Sequence, residues 1–253
     1  MKVLIRPYSY SDEGQVQSLL KAATYSTINR LFLAMLQREI FIQIALMSSA
    51  VAFVVVGVRL EHCFVTFPLT ALFFYFACAL GHVVKAHAFH PDLKNIEGTY
   101  LSNPRTGFWV AELIEGSPAD SQVEFTSSED LNTATSGREI IGTVAVTIKA
   151  DPDKREPPES VAWLRRMAVK AGYQRKGIGD ALVETTIKHC VNKRFRAIEL
   201  LTTEFHRSAK NLYVKKGFEI MNSYPKGLVL GFISIGMYRF RMPCVSTRSV
   251  MDI

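Results

Sequence analysis

Cysteine is scarce, and what there is does not cluster. Cys63, Cys78, Cys190 and Cys244 stand far apart with no CxxC, so neither a zinc site nor a disulfide framework is suggested, and no metal is expected. Two of them lie in apolar sequence, where cysteine serves as a small hydrophobe. The chain has no GxGxxG and no GK[ST], which excludes the dinucleotide fingerprint and the P-loop. No long Lys/Arg run interleaved with aromatics occurs, so nucleic acid is not an expected partner. The first 20 residues are charged and polar, unlike a cleavable signal peptide.

What is there is uneven. The 253 residues suffice for one sizeable domain plus an appendage. Thirty basic against 23 acidic residues leave a net charge of +7, which suits an anionic cofactor or anionic lipid headgroups. Ile40 to Val58 is nineteen residues without a charge, and Phe64 to Val84 is twenty-one more, His82 aside. At 1.5 Å per residue each run reaches roughly the ~30 Å of a hydrocarbon core. Only Arg59 to Cys63 separates them, so the pair reads as a membrane hairpin whose ends emerge on one side. Arg30, Arg38, Lys85 and Lys94 place that side in the cytoplasm. Arg59 and Glu61 in the loop leave a re-entrant hairpin open.

Around this insertion the pattern alternates strands and helices. Lys2 to Tyr8 is a strand stopped by Pro7, and a helix opens at Ser11-Asp-Glu. Asp92 to Tyr100 reads as a short helix, and Gly107 to Ile114 as a strand. Glu115 to Gly137, rich in Ser, Thr, Asp and Glu, is a loop. Arg138 to Lys149 is β-branched and pairs with the preceding strand as a hairpin. Asp151 to Ser160 is a proline-rich loop. Further strands are expected at 196–203 and 217–223, and a long final one at 228–242.

One stretch carries chemistry. Trp163 to Gly179 (WLRRMAVKAGYQRKGIG) is a strand, a glycine turn and the start of a helix. The first amides of a helix lack intrahelical partners and carry partial positive charge, so the turn is an anion site. Gly177 and Gly179 let the backbone approach a phosphate, and Arg175 and Lys176 add charge. The residues ask for a pyrophosphate. A plain glycine-eased connection is the competing reading.

Thirty residues on stands Ser208-Ala-Lys-Asn-Leu-Tyr213-Val-Lys-Lys-Gly217-Phe218. Alone it is a helix ending at a glycine. After the first motif it resembles the pattern of the GCN5-related N-acetyltransferase (GNAT) superfamily, Q/R-x-x-G-x-G/A followed by A-x-x-L-Y-x-x-x-G-F. The opening VLIRPYSYSDE resembles that fold's first strand and helix, so the likeness covers about residues 2–25 and 105–240. With the hydrophobic insertion and GTYLSNPRTGFWVAE, it is similar to the camello-like (N-acetyltransferase-8-like) branch, whose members are membrane-anchored. LRRMAV and ELLTT resemble most the members that acetylate aspartate, then those that acetylate cysteine S-conjugates.

The resemblance implies an α/β fold: a mixed, mostly antiparallel sheet flanked by helices, with the inserted membrane hairpin. The acetyltransferase domain would comprise residues 1–30 and 87–243, the hairpin 31–86 and a flexible tail 244–253. It implies acetyl-CoA as co-substrate. The pyrophosphate would rest on Gln174, Arg175, Lys176, Gly177, Ile178, Gly179 and Asp180, with Asn211 nearby. The pantetheine arm would pair with Met167, Ala168 and Val169 as an added strand. An amide of Met167 or Ala168 would stabilise the oxyanion. Tyr213 stands where the family's general acid stands, with a packed core tyrosine as the alternative. His206 takes the place of a frequent asparagine; it is a candidate to bond the cofactor or relay a proton, or a plain helix-start residue.

The general base stays open between Glu199 on a central strand, Glu159 in a loop and a water chain. Arg165 and Arg166 fall on opposite faces of one strand by alternation, and one of them could clamp a substrate carboxylate. The function expected is transfer of acetyl to the primary amine of a small amino-acid-type acceptor, on the cytosolic face of an internal membrane, the endoplasmic reticulum being the expected one. A protein lysine or N-terminal acceptor, or a non-catalytic acyl-CoA-binding scaffold, are the alternatives.

Overall fold

The computed structural model describes residues 1–88, 91–93, 95–120, 122–126, 139–150, 157, 159–228 and 233–244, without the side chains of 27, 30, 35, 82–88, 91, 228 and 233. The expected tail beyond Cys244, Lys94, most of the Asp151–Ser160 loop and residues 127–138 of the acidic loop lie outside the described residues, as do the side chains of Arg30 and Lys85. The chain divides into two compact units, one of residues 1–23, 91–224 and 236–253, the other of 24–90 and 225–235.

The first unit is built on a sheet of eight strands. These are β1 (Lys2–Pro7), β2 (Gly107–Glu115), β3 (Glu124–Thr126), β4 (Glu139–Ile148), β5 (Val161–Val169), β6 (Ala197–Thr203), β7 (Glu219–Leu228) and β8 (Ile233–Pro243). Their order is β3-β1-β2-β4-β5-β6-β8-β7. The described pairings are antiparallel except β1 with β3 and β5 with β6. The expected pairing of β2 and β4 forms, from Gly107–Val146 to Leu113–Glu139, with a one-residue register shift between Ala111 and Glu112.

Three boundaries differ from the sequence reading. β3 sits inside the expected acidic loop, because three residues are too few to show a period, yet they satisfy the outer edge of β1. The expected break before residue 228 is absent: β7 runs through Pro225, which an outermost strand tolerates. Asp92 to Tyr100 forms a 3₁₀ turn at Pro91–Leu93 and a π-helical turn at Glu97–Leu101 in place of one short helix.

Two apolar cores cover the two faces of the sheet. On one, α5 (Ile178–Asn192) and α6 (Arg207–Lys215) bring Ile178, Leu182, Val183 and Tyr213 against Ile141, Val144, Ala162, Leu164 and Ile198. On the other, Val16, Leu19 and Leu20 of α1 (Glu13–Leu36) pack with Tyr100, Phe108, Val110, Ala145 and Ala168. Burying such side chains contributes about 1.5–3 kcal/mol each.

The second unit holds α2 (Glu39–Val54), the short α3 (Leu60–Cys63) and α4 (Thr66–Ala88). Where α2 meets α4 the seam is mixed: the Ser49 hydroxyl bonds Thr66, Ser48 lies 3.4 Å from Thr70, and the buried Phe74 packs edge-on against Phe41. Outward-pointing Leu46, Val51, Phe53, Leu69, Leu72, Phe73 and Phe76 are exposed. Sixteen residues of α2 rise only about 24 Å, short of a bilayer core. Leu60–Gly81, 22 residues, is the one described helix long and apolar enough to cross by itself, and 22% of its apolar window is buried. Arg38, at the N-cap of α2, donates to the Ser234 carbonyl at 2.8 Å.

Candidate functional site

β5 and β6 part company early. The described pairs are Val161–Ala197, Ala162–Ile198 and Trp163–Glu199, after which no further pair forms although β5 continues to Val169. Parallel strands that separate this way leave one edge of 164–169 without a strand partner. An extended polar arm can add there as a further strand.

β5 also carries a bulge. Thr143 opposes Ala168 and Ala145 opposes Arg165, so Arg166 and Met167 together face Val144. Arg166 sits in the left-handed region at φ +54°. The extra residue reverses the alternation. Ala162 and Leu164 face the α5 side, whereas beyond the bulge Met167 and Val169 do so and Ala168 faces the α1 side. The reading that Arg165 and Arg166 point to opposite faces therefore fails. Both reach Asp92, Arg166 through paired bonds from Nε (2.9 Å) and Nη2, Arg165 at 3.9 Å. Tyr100 donates its hydroxyl to the same carboxylate. Burial alone would raise the Asp92 pKa, but the Arg166 and Tyr100 hydrogen bonds hold it below its usual value. Sequence reasoning did not find Asp92 and Tyr100. Nothing local links Asp92 to an arginine 74 positions on.

The glycine turn lies beside the end of β5. A Cβ on Gly179 would stand 3.1 Å from Met167 Cε, 3.4 Å from Leu212 Cδ2 and 3.9 Å from Val169 Cγ2, so β5, α5 and α6 converge at this point. Gly177 is the N-cap of α5 at φ +82°, with open space where its Cβ would be. Its role is conformational. Arg175, at φ +63°, bears the same strain without glycine's freedom. Among the described residues the amides of Arg175 through Asp180 take no acceptor, and α5 begins with Ala181 bonding to the Gly177 carbonyl. Six amides at a helix start, beside the exposed Arg175, form an anion cradle. Gln174 and Lys176 instead support the turn. Gln174 donates to the Val169 carbonyl at 2.9 Å and Lys176 to that of Pro118 at 2.9 Å. Asp180 pairs with Lys216 (2.6 Å) and Lys215 (3.3 Å), which bind α6 to α5 and hold its carboxyl below the usual range.

Tyr213 is buried in the α5-side core, its ring edge-on to Phe218 at 5.7 Å and tilted to Phe240 at 6.0 Å. Its hydroxyl makes no hydrogen bond among the described residues, yet it is not among the sealed polar atoms. Burial pushes the phenol's pKa up, so it stays protonated. His206 caps the start of α6, and its Nδ1 lies 3.0 Å from the Thr203 hydroxyl at the end of β6. Asn211 is exposed on α6. Glu199 is fully buried and held by three cations: Arg239 (2.7 and 2.9 Å), Arg241 (2.9 Å) and Lys149 (3.0 Å). Both of its oxygens are thus occupied. Glu159 pairs with Arg105 at 3.6 Å. Among the described residues no His, Cys, Asp or Glu group is arranged to hold a metal.

Residues 91–218, just over half the chain, match the profile of the acetyltransferase (GNAT) family. The chain belongs to that family. Within it, the chain is 26% identical over 215 residues to rat N-acetyltransferase family 8 member 3, a match spanning 85% of this chain and 83% of that one. To rat N-acetyltransferase 8 it is 26% identical over 159 residues, 62% of this chain and 60% of the relative. Human N-acetylaspartate synthetase is 24% identical over 203 residues, 77% of this chain and 57% of the relative. The match thus spans less than two thirds of the length of several curated relatives. With a frog protein named camello also similar, at 27% identity over 54% of this chain and 50% of that one, the chain falls in the camello-like branch. A GCN5-related N-acetyltransferase from Kribbella flavida shares the fold at a TM-score of 0.50 and 13% identity, covering 95% of this chain and 97% of that one. So does a Salmonella typhimurium structure solved with its cofactor acetyl-CoA, at 0.50 and 11%, covering 96% and 95%. In this GNAT domain the expected sheet flanked by helices is present, and the parted strands and amide cradle belong to one compact unit.

Proposed function

We propose that the chain is a membrane-held, acetyl-CoA-dependent N-acetyltransferase acting on the primary amine of a small acceptor that bears a carboxylate. One observation carries this reading: the strand edge left open beyond Trp163 leads to six acceptor-free amides at the start of α5. The residues fit the co-substrate, whose bound thioester supplies an activated acetyl group. The Arg175–Asp180 amides and the Arg175 side chain neutralise a pyrophosphate. The backbone of Met167, Ala168 and Val169 pairs with the pantetheine amides, and an amide at Met167 or Ala168 faces the oxyanion. Tyr213, kept protonated by burial, gives its proton to the departing thiolate. His206 at the start of α6 and Asn211 within it remain candidates to contact the co-substrate. Glu199 serves as a buried tether between β6, β8 and the end of β4, so the acceptor's proton leaves through water. Of the two arginines, Arg165 is the freer to meet an acceptor carboxylate, its side chain being 36% exposed and loosely held by Asp92, against 11% for Arg166.

The membrane part of the proposal rests on the second unit. Hydroxyl side chains meet in its seam beside the buried Ala45 and Phe74, and its outer surface is apolar, an arrangement that suits helices packed in lipid. The flanking positive charges favour a cytosolic catalytic unit. Full-length protein mixed with acetyl-CoA and a panel of amino acids, cysteine conjugates and peptides tests the chemistry through release of free thiol. Acidic amino acids should raise the release most. If acetyl-CoA binds and no acceptor raises release above background, the enzymatic reading is lost and the scaffold reading stands.

A further inference from the structure

The bulge in β5 has a cause outside the strand. A non-glycine residue in the left-handed region is strained, and such strain persists only where the surroundings over-determine it. Arg166 is held from two directions. Thr143 donates its hydroxyl to the Arg166 carbonyl at 2.8 Å, fixing the backbone from β4. Asp92, 9% exposed, grips the guanidinium with both oxygens from the turn that precedes β2. Asp92 is fixed in its turn by the wholly buried Tyr100, whose own pKa is pushed up to about 12 by burial and by that hydrogen bond.

The strain is spent at a useful place. The residues redirected by the bulge are Met167 and Val169, whose side chains stand against Gly179 in the first turn of α5. Without the extra residue the alternation set by Ala162 and Leu164 would send Ala168 toward α5 and Met167 and Val169 to the other face. Their backbone is also the stretch left without a β6 partner.

We propose that Asp92 is a positioning residue for acetyl transfer: by clamping Arg166 in its left-handed conformation it holds the β5 bulge, and so aims the Met167–Val169 backbone at the acetyl-CoA arm. The inference rests on the acetyltransferase reading. The carboxylate acts on the bulge through Arg166, to which it is bound by two hydrogen bonds, whereas Arg165 lies 3.9 Å away.

The test is a cycle of three variants in the full-length protein: Asp92→Asn, Arg166→Gly and the double substitution. Glycine adopts the left-handed conformation without strain and needs no clamp. D92N should lower kcat/KM for acetyl-CoA on the order of a hundredfold, the size of a small misplacement of reacting groups. Adding D92N to R166G should change it by less than about twofold, because distinct steps on one path do not add. A purely structural Asp92 would cost as much in either background, and that result overturns the proposal, as does a D92N variant with unaltered kcat/KM. Amide hydrogen exchange over residues 164–170 gives a readout independent of turnover. D92N should speed it and the double variant should match R166G. If the wild-type chain releases no thiol, the acetyltransferase reading fails, while the exchange cycle still decides whether Asp92 holds the bulge; equal exchange in all four proteins rejects it.

Discussion

Gly177 and Arg175 share a left-handed backbone but not its cost. For Gly177→Ala the new Cβ meets nothing within 4 Å, so the penalty is conformational, about 1–2 kcal/mol. Acetyl-CoA should then bind about tenfold more weakly in calorimetry, with α5 otherwise intact. Tyr213→Phe removes a hydroxyl from an otherwise apolar setting. It should lower kcat by about 10²–10⁴-fold with little change in acetyl-CoA affinity; equal losses in both would make it a packing residue. Since burial raises the phenol, its deprotonation should not limit the rate below its ordinary pKa of about 10. The carboxylates behave oppositely. Asp12 and Asp92 are buried, which alone would raise them, but hydrogen bonds from Arg6 and from Arg166 and Tyr100 leave both lowered. Their stabilisation is therefore present above the ordinary carboxylate value, about 3.9, and is lost as pH falls through the lowered native values. The melting temperature should be flat from neutral pH to about 5 and drop steeply below 4, with a shallower drop in D92N. The glycine turn and Tyr213 could be read from sequence because each is a local pattern. Asp92 could not, since its partner lies 74 residues away and the bulge overrides the alternation that would separate Arg165 from Arg166.

Among the elements, β5 does most to make the site. Its first half is an ordinary core strand, and its second half is bulged, re-aimed and unpaired on one side. The hydrophobic pattern that announces the strand cannot announce the bulge, because a single inserted residue leaves composition unchanged. β3 escaped for the opposite reason, being too short to carry a pattern. The α2–α4 pair was conspicuous from its uncharged runs, but its packing was not: hydroxyl residues meet in the seam beside the buried Phe74, while many of the large apolar side chains point outward. That arrangement gives a prediction. Ser49→Leu, which forces a bulky group into the seam, should destabilise the pair in detergent, whereas Phe76→Leu on the outer surface should be within about 0.5 kcal/mol of wild type. Thermal unfolding followed by cysteine labelling at the seam residue Cys63 distinguishes them. Equal tolerance of both would mean that the seam does not hold the helices together.

At the scale of the whole molecule, two units divide the work. One carries the two cores, α5, α6 and the candidate site, and the other carries α2, α3 and α4. The family match falls within the first unit, over residues 91–218. Family-level chemistry was thus legible in two short motifs, whereas the Asp92–Arg166 pair joins residues 74 positions apart that no short motif spans. The most direct measurement follows acetyl itself. Full-length protein is incubated with isotope-labelled acetyl-CoA and an acidic amino acid, and the label on the amine is read by mass spectrometry. The account predicts label on the amine with wild-type protein and its near-complete loss with Tyr213→Phe. Bound acetyl-CoA with no labelled amine, from this acceptor or any other amine, would contradict it.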